Sequence, residues 1–260
     1  MVLYTAEPMT MDEQTIWPKK LPQLTAEQQR IRDDFMRHWH EVLPRRYSVV
    51  ERFNQGYAAR SAESELKTLE IGAGLGEHLA FEPEPHGNYW AVELREEMAR
   101  AIERVYPGAN MVVADCQQEL PFEDGTFDRA LAIHVLEHLP DLPSALTELR
   151  RVLKPNGRFV VVIPCEGGLA YTLARRISAQ RIFERRYRMN YDWFVRSEHI
   201  NLPNEIVIEL EREFVIDQRS YFPLHIPSVT ANLVIGLTLR PRISSSTEQV
   251  TRAHQVLHNG

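Results

Sequence analysis

The chain of 260 residues is 43% hydrophobic and 25% charged, with a formal net charge of −6 at pH 7. This composition is typical of a soluble globular protein, and the acidic balance disfavours nonspecific binding to nucleic acid. No apolar run approaches the roughly 20 residues that a membrane span needs, and no basic segment followed by an apolar core opens the chain, so we expect a cytoplasmic protein without an integral membrane segment.

The N-terminal part predicts an arm followed by two helices. Residues 1–24 are polar and punctuated by prolines, which indicates a tail or an extended arm. Thr25 and Gln28 have the spacing of a capping box ahead of apolar residues at helical intervals, and we expect Pro44 to end that helix. A second helix is predicted in SVVERFNQGYAAR, so that residues 25–64 form a helical cap.

Residues 65–240 alternate apolar strands with amphipathic helices. Strands are predicted in LKTLEI, NYWAVEL, NMVVAD, FDRALAI and GRFVVVIP, and helices in REEMARAIERVY and LPSALTELRRVL. The turn KPNG is expected to lead into the fifth strand. Strands without polar alternation, separated by helices, indicate an α/β domain with a doubly wound, mostly parallel sheet. The stretches VIDQRSYF and ANLVIGLTLR add two closing strands after a helix in NEIVIELEREF, and residues 241–260 form a flexible tail.

A segment at about residues 166–202 is inserted after the fifth strand and is rich in arginine and aromatic residues. Arg185 and Arg186 are candidates to bind an anionic substrate, since guanidinium groups bind oxyanions bidentately, and Tyr191 is a candidate wall of the same pocket. Alternatively, the arginines form a solvated face that pairs with acids elsewhere, and the tyrosine is an ordinary core aromatic.

The first strand runs into a loop with three glycines, LEIGAGLGEH. A dinucleotide fingerprint would place its third glycine where this chain has Glu77. A diphosphate binds best at a helix N-terminus without acids nearby, yet Glu70 precedes the loop and Glu77 follows it. A ligand with a cationic amine suits these charges better.

This loop resembles the first motif of class I S-adenosylmethionine-dependent methyltransferases. Three further segments resemble that family in the same order: VVADCQQELPFEDGTFD resembles its adenine-binding loop, LAIHVLEHLPD its motif after the fourth strand, and LRRVLKPNGRFVVVIP its fifth-strand signature. The resemblance covers about residues 66–164 and is to small-molecule enzymes similar to the ubiquinone-biosynthesis methyltransferases. It implies a Rossmann-like methyltransferase fold with seven strands, N-terminal helices and the insertion.

The resemblance also implies S-adenosylmethionine as cofactor and S-adenosylhomocysteine as product. The loop would hold the amino-acid end of the cofactor, a carboxylate about 20 residues later the ribose, and an aspartate after the third strand the adenine. The cofactor-binding candidates are therefore Glu70, Gly72, Ala73, Gly74, Gly76, Glu93, Leu94, Asp115, Cys116 and His134, together with Tyr57 from the helical cap.

If the acceptor is a hydroxyl, transfer needs a base within hydrogen-bond reach. His134, His138, Glu166 and His199 are candidates, of which we take His199 and His134 as catalytic and Glu166 as a substrate contact as well. Alternatively, each histidine after the fourth strand only packs on the cofactor or caps a helix. We expect no metal site from Cys116, His134, His138 and Cys165, because their spacing matches no zinc pattern.

The acceptor class follows mostly by exclusion. The segment IHVL stands where methyltransferases of base amines would usually have an Asn/Asp-Pro-Pro-Tyr-like tetrad. We therefore expect a small molecule, with oxygen of an anionic or sugar-like metabolite as the methylated atom, and a homodimer is possible. One alternative is a nicotinamide-dependent dehydrogenase, which Glu77 and the lack of a Tyr-x-x-x-Lys pair after the fourth strand oppose. Another is a module that binds S-adenosylmethionine without catalysis.

Overall fold

The computed structural model describes residues 15–46, 48–84 and 86–242. Its strands are β1 (Thr68–Ile71), β2 (Tyr89–Glu93), β3 (Asn110–Val113), β4 (Phe127–Ile133), β5 (Leu153–Pro164), β6 (Phe214–Phe222) and β7 (Val234–Pro241). Its α-helices are α1 (Ala26–Arg46), α2 (Ser48–Ala59), α3 (Glu96–Val105), α4 (Leu142–Val152), α5 (Leu169–Ile177), α6 (Ala179–Tyr187), α7 (Asp192–Glu198) and α8 (Pro203–Glu213). None of these helices is both long and apolar enough to cross a membrane.

The strands form one seven-stranded sheet in the order β3-β2-β1-β4-β5-β7-β6. Strands β1 to β5 are parallel, whereas β7 runs antiparallel to both β5 and β6. The chain reverses its direction of winding between β1 and β4, which opens a crevice outside the carboxyl ends of these two strands. The predicted doubly wound, mostly parallel sheet is confirmed.

Both faces of the sheet are covered, which explains why its strands lack polar alternation. Phe159 and Val161 of β5 pack with α4 and α8 on one face, and Val160 and Val162 pack with α2 and α3 on the other. Successive side chains of a strand point to opposite faces, so each face receives alternate apolar residues.

Two local predictions were wrong. Helix α1 does not end at Pro44 but continues to Arg46, so that the proline lies in its last turn. The residues of KPNG are not a turn that precedes β5 but lie within it, since β5 begins at Leu153. Its pairing with β4 skips from Leu153 to Arg158, and this register shift accommodates the proline and the glycine. The capping box is confirmed by reciprocal hydrogen bonds between Thr25 and Gln28.

The described part of the predicted arm is packed against the sheet domain. The indole nitrogen of Trp17 donates to Glu209 of α8 at 3.1 Å. The ammonium group of Lys19 donates to Glu205 at 2.7 Å and to the carbonyl oxygen of Ile200 at 2.9 Å. Residues 1–14 of the predicted arm and residues 243–260 of the predicted tail lie outside the described residues.

A buried ionic network joins α2, the segment after β1 and β4. Arg129 of β4 is 0% exposed and donates through one nitrogen to both carboxylate oxygens of Glu82, at 2.9 and 2.8 Å. The same guanidinium donates to Ser61 and to the carbonyl oxygen of Ala58. His78 bonds Glu82 at 2.6 Å, and although burial opposes it, this bond and the charge of Arg129 lower the pKa of Glu82.

Removing the carboxylate of this network should destabilise the fold. We expect Glu82→Ala to lower the free energy of unfolding by about 3–5 kcal/mol, because it leaves the buried guanidinium of Arg129 uncompensated. Chemical denaturation measures the change. The exposed Glu103→Ala is the matched control and should change stability by less than about 0.5 kcal/mol. Equal effects of the two substitutions would contradict this account.

Candidate functional site

The glycine loop lies at the carboxyl end of β1, next to the crevice. Gly72, Gly74 and Gly76 all adopt positive φ, at 62°, 59° and 80°, a region that side chains with a Cβ rarely enter. At Gly72 a Cβ would also come within 2.5 Å of a methyl group of Val135, which follows β4. The loop is therefore packed directly against the segment after β4, and glycine is required for that approach.

Glu93 holds the loop in this shape. It ends β2, is buried, and accepts hydrogen bonds from the backbone N–H of Gly74 at 3.1 Å and from the N–H and side chain of Arg95 at 3.0 and 3.1 Å. A carboxylate that accepts these bonds is fixed at the strand end, where a ribose would lie. Glu93 ends β2 as expected, its contact with a ribose stays a prediction, and organising the loop is an additional role that the sequence did not indicate.

Glu70 lies inside the sheet next to the loop. It is buried and accepts a hydrogen bond from the hydroxyl of Tyr89 at 2.7 Å. Burial raises the pKa of Glu70 from its ordinary value of 4.5 to about 8, although the bond from Tyr89 opposes the rise. Such a carboxylate favours a cation beside it, because a positive charge would repay the cost of keeping it ionised.

The residues that resemble an adenine site follow β3, which ends at Val113, two residues before the predicted strand end at Asp115. Asp115 accepts hydrogen bonds through Oδ1 from the backbone and side-chain nitrogens of Gln117, at 2.9 and 3.0 Å, which fixes its carboxylate. Cys116 is buried, and burial raises the pKa of its thiol to about 12, so it packs rather than reacts. Leu94 is 64% exposed at the end of β2, an apolar side chain open to a planar ligand.

Three polar residues follow β4 in quick succession. His134 has φ 54°, an uncommon conformation for a residue other than glycine, and its Nδ1 lies 3.1 Å from Oε1 of Glu137. Burial opposes it, but the bond from His134 and the charges of the neighbouring histidines together lower the pKa of Glu137 to about 2. Burial lowers the pKa of His138, one residue on, to about 4, so its ring is neutral at physiological pH.

Four hydrogen bonds fasten the segment after β4 to the end of the insertion. The backbone N–H groups of Ile200 and Asn201 donate to the carbonyl oxygen of Glu137, at 2.9 and 3.1 Å. The buried side-chain amide of Asn201 donates to the carbonyl oxygens of Leu136 and Leu139, both at 2.8 Å. We name these four bonds the 136–201 clamp. The clamp places the ring of His199 5.1 Å from that of His138.

His199 is in turn oriented by Glu166, which follows β5. Its Nδ1 lies 2.8 Å from Oε2 of Glu166, and Arg175 of α5 pairs with the other oxygen of the same carboxylate. Burial opposes protonation, but the bond to Glu166 and the charges of Glu137 and Glu166 raise the pKa of His199. Arg175 was not among the predicted site residues. Its place nine residues after Glu166, at the opening of the insertion, is the signal that could have identified it.

Several predicted site residues lie elsewhere. Tyr57 is buried in the core, with its hydroxyl 3.0 Å from Thr238 and its ring against Gly236, which gives it a packing role, while its contact with the cofactor stays a prediction. Arg186 donates to Asp34 of α1 on the exposed surface, and Arg185 is exposed on the same helix. Tyr191 stacks on Phe194 in a buried aromatic cluster. For these insertion residues the structure favours the alternatives, a solvated face and a core aromatic.

The geometry of the glycine loop bears on whether it would bind S-adenosylmethionine or a dinucleotide. The glycine loop leads into a 3₁₀ helix of five residues, Glu77–Phe81, and Glu77 accepts the N–H of Leu75 at 3.0 Å. A diphosphate would therefore meet an acidic side chain and a single short turn in place of a free helix N-terminus. The structure supports a sulfonium cofactor with a cationic amine over a dinucleotide.

Comparisons with known proteins agree with this geometry. Residues 69–161 match the family model of a methyltransferase domain. The sterol 4-C-methyltransferase strm-1 of Caenorhabditis elegans is 53% identical over 51 residues, which cover 20% of this chain and 15% of that protein. The ubiquinone/menaquinone biosynthesis C-methyltransferase UbiE of Bordetella avium is 34% identical over 103 residues, which cover 37% of this chain and 40% of that protein. The chain thus spans less than half the length of these relatives.

A solved structure shows the same fold. The TehB-like SAM-dependent methyltransferase from Corynebacterium glutamicum aligns with a TM-score of 0.54 and 14% identity, over 81% of this chain and 98% of that one. Together with the family model, this likeness confirms the resemblance to class I S-adenosylmethionine-dependent methyltransferases that the motifs indicated.

The buried carboxylate of Glu70 should leave a signature in the pH dependence of stability. Its folded pKa of about 8 lies above the ordinary 4.5, so the folded state holds a proton that the unfolded state has lost, and stability falls as pH rises from 4.5 through 8. We expect Glu70→Gln to abolish this fall in the free energy of unfolding, which amounts to a few kcal/mol, since each pKa unit is worth about 1.4 kcal/mol.

Denaturation of the cofactor-free protein at pH 5, 7 and 9 measures this effect. Glu70→Gln and the wild type should differ least at pH 5, and the variant should be the more stable one at pH 9. The exposed Glu65→Gln is the control and should follow the wild type at every pH. Parallel profiles of the wild type and Glu70→Gln would show that the carboxylate does not titrate in this range.

Proposed function

Since residues 69–161 form the methyltransferase domain of an S-adenosylmethionine-dependent enzyme, we propose that the protein transfers the methyl group of that cofactor to an oxygen of a small hydroxylated molecule. One observation carries the proposal: His199, oriented by Glu166, lies on the same edge of the sheet as the glycine loop. A base whose ring is held by a carboxylate suits removal of a proton from a hydroxyl.

The cofactor side of the proposal rests on three carboxylates. Glu70 would face the cationic amino-acid end, Glu93 the ribose and Asp115 the exocyclic amine of adenine. Glu70 lies near the end of β1, Glu93 ends β2 and Asp115 follows β3, and the carboxyl ends of these three strands lie side by side in the sheet. The methyl group would then point towards the residues after β4 and β5, where the histidines lie. Transfer from a sulfonium needs alignment of nucleophile, methyl and sulfur more than covalent help.

The acceptor side is rich in groups that bind oxygen. Arg175 pairs with Glu166, yet its buried Nε has no hydrogen-bond partner within the described residues. An unpaired buried donor favours an oxygen acceptor from a ligand, because leaving it unpaired costs about 1–3 kcal/mol. We therefore assign the substrate contact to Arg175 and Glu166 in place of Arg185 and Arg186.

The named relatives are a sterol 4-C-methyltransferase and a C-methyltransferase of ubiquinone/menaquinone biosynthesis, so both transfer to carbon. A base that deprotonates a phenol or an enol serves both transfer to oxygen and transfer to carbon, since the resulting anion shares its charge between oxygen and carbon. The position of the methyl group in the product, read by NMR spectroscopy, distinguishes O-transfer from C-transfer.

Cofactor binding is tested by calorimetric titration with S-adenosylhomocysteine. We expect the wild type to bind it, and Asp115→Ala and Glu93→Ala to weaken binding at least tenfold, since each removes a contact or the support of the glycine loop. Asp217→Ala on the outer strand β6 is the control and should bind as the wild type does. Binding of NAD in place of S-adenosylhomocysteine would overturn the assignment in favour of a dehydrogenase.

Catalysis is tested by release of S-adenosylhomocysteine with a panel of phenols, catechols, sterols and hydroxy acids. For the best acceptor, we expect His199→Gln to lower kcat by about 10²–10⁴-fold, the range of general-base catalysis, with unchanged affinity for S-adenosylhomocysteine. His225→Gln, at an exposed histidine, is the matched control. Binding of the cofactor without turnover of any acceptor would favour a non-catalytic binding module.

A further inference from the structure

Glu137, His138 and His199 bring three metal-ligand atoms together. One oxygen of Glu137 and one ring nitrogen of each histidine all lie within 4.8 Å of one another. The described contact between Nε2 of His138 and Oε1 of Glu137 is 4.0 Å, beyond hydrogen-bond distance. Ligand atoms around a zinc ion lie roughly 3–4 Å apart, so small side-chain movements suffice to close the triad on a cation. This group differs from the cysteine-containing set that the sequence excluded.

The hydrogen bonds of the two histidines fix which nitrogen faces the group. Nδ1 of His138 lies 2.6 Å from the carbonyl oxygen of Glu198, which only accepts, so the proton is on Nδ1. Nδ1 of His199 lies 2.8 Å from the carboxylate of Glu166, which likewise accepts. In its neutral form, each ring therefore keeps its lone pair on Nε2. A carbonyl or carboxylate behind each ring is the usual outer support of metal-bound histidine.

Glu137 supplies an independent observation. The residue is 1% exposed, His134 occupies Oε1, and Oε2 is buried without a hydrogen-bond partner within the described residues. A buried ionised oxygen without a partner is costly unless a cation or a donor is bound. The Nε2 atoms of His138 and His199 beside this carboxylate carry lone pairs, so they cannot donate a hydrogen bond to it.

We propose that Glu137, His138 and His199 bind a divalent transition-metal ion such as Zn²⁺. Two imidazoles and one carboxylate are a donor set that zinc and iron accept, whereas Mg²⁺ prefers oxygen alone. The side chains of His138 and His199 are 32% and 23% exposed, so coordination positions on the open side remain for a ligand. Three protein ligands with an open position characterise catalytic rather than structural sites.

This inference deepens the proposed function and rests on it only for the role of the ion. Bound to the triad, the cation would hold the acceptor's hydroxyl oxygen and lower its pKa, so that the proton leaves to water before the oxygen attacks the methyl group. His199 would then act as a ligand instead of a base, and Glu166 would keep its ring in place. Acceptors with two neighbouring oxygens would bind best, since they can occupy two coordination positions.

Metal binding is tested without reference to turnover. Calorimetric titration of the full chain, freed of any affinity tag, with Zn²⁺ should show one site per chain, and Co²⁺ should give visible absorption bands of a coordinated ion. We expect Glu137→Gln and His138→Gln to weaken Zn²⁺ binding at least a hundredfold. Glu166→Gln should weaken it about 10–100-fold through loss of the support of His199.

His225→Gln, at an exposed histidine, controls for surface binding and should leave the Zn²⁺ affinity unchanged. Titration of every variant with S-adenosylhomocysteine shows that the domain is folded and tests the methyltransferase assignment separately. Absence of stoichiometric Zn²⁺ binding in the wild type, or unchanged binding in both Glu137→Gln and His138→Gln, would overturn the metal site while leaving the proposed function in place.

Discussion

The site depends on the 136–201 clamp, the four hydrogen bonds that join the segment after β4 to the end of the insertion. The sheet alone places His138 at a strand end, but His199 belongs to a helical insertion more than thirty residues past β5. The clamp turns that insertion back over the crevice and fixes the distance between the two rings. Its central residue, Asn201, is fully buried and satisfies two carbonyl oxygens that would otherwise be unpaired at the end of a short 3₁₀ turn.

The acidic residues of the crevice divide into two groups with opposite electrostatic conditions. Glu70 is buried with little compensation, and its raised pKa makes it a site that gains from a cationic ligand. Although burial opposes it, neighbouring histidines lower the pKa of Glu137, and His199 with Arg175 lowers the pKa of Glu166. The first condition suits a cofactor with a positive charge, and the second maintains ionised oxygens where an acceptor would bind. One sheet edge thus presents two chemically different halves.

Much of the fold and the cofactor half could be predicted from the sequence, because both depend on local patterns. Buried parallel strands read as apolar runs, and Gly72 marks a conformation that only glycine adopts easily. In the acceptor half, His134, His138, Glu166 and His199 were candidates from their sequence positions, but which of them meet could not be predicted, since they meet through long-range contacts. Arg175 is one of many arginines in the insertion, and nothing in the sequence singles out Glu137. Whether Arg186 pairs with Asp34 or with a ligand is decided by how α6 packs on α1, which no short-range pattern encodes.

The buried network of Arg129, Glu82 and His78 has a consequence for the evolution of this chain. A guanidinium remains charged at any physiological pH, so a substitution that removes the carboxylate of Glu82 first leaves an unpaired buried charge. A substitution that removes Arg129 first leaves a buried carboxylate beside a histidine. Either single substitution is therefore strongly destabilising. Among homologues, positions 82 and 129 should therefore covary, changing together to an apolar pair or not at all, while the exposed arginines of the insertion drift independently.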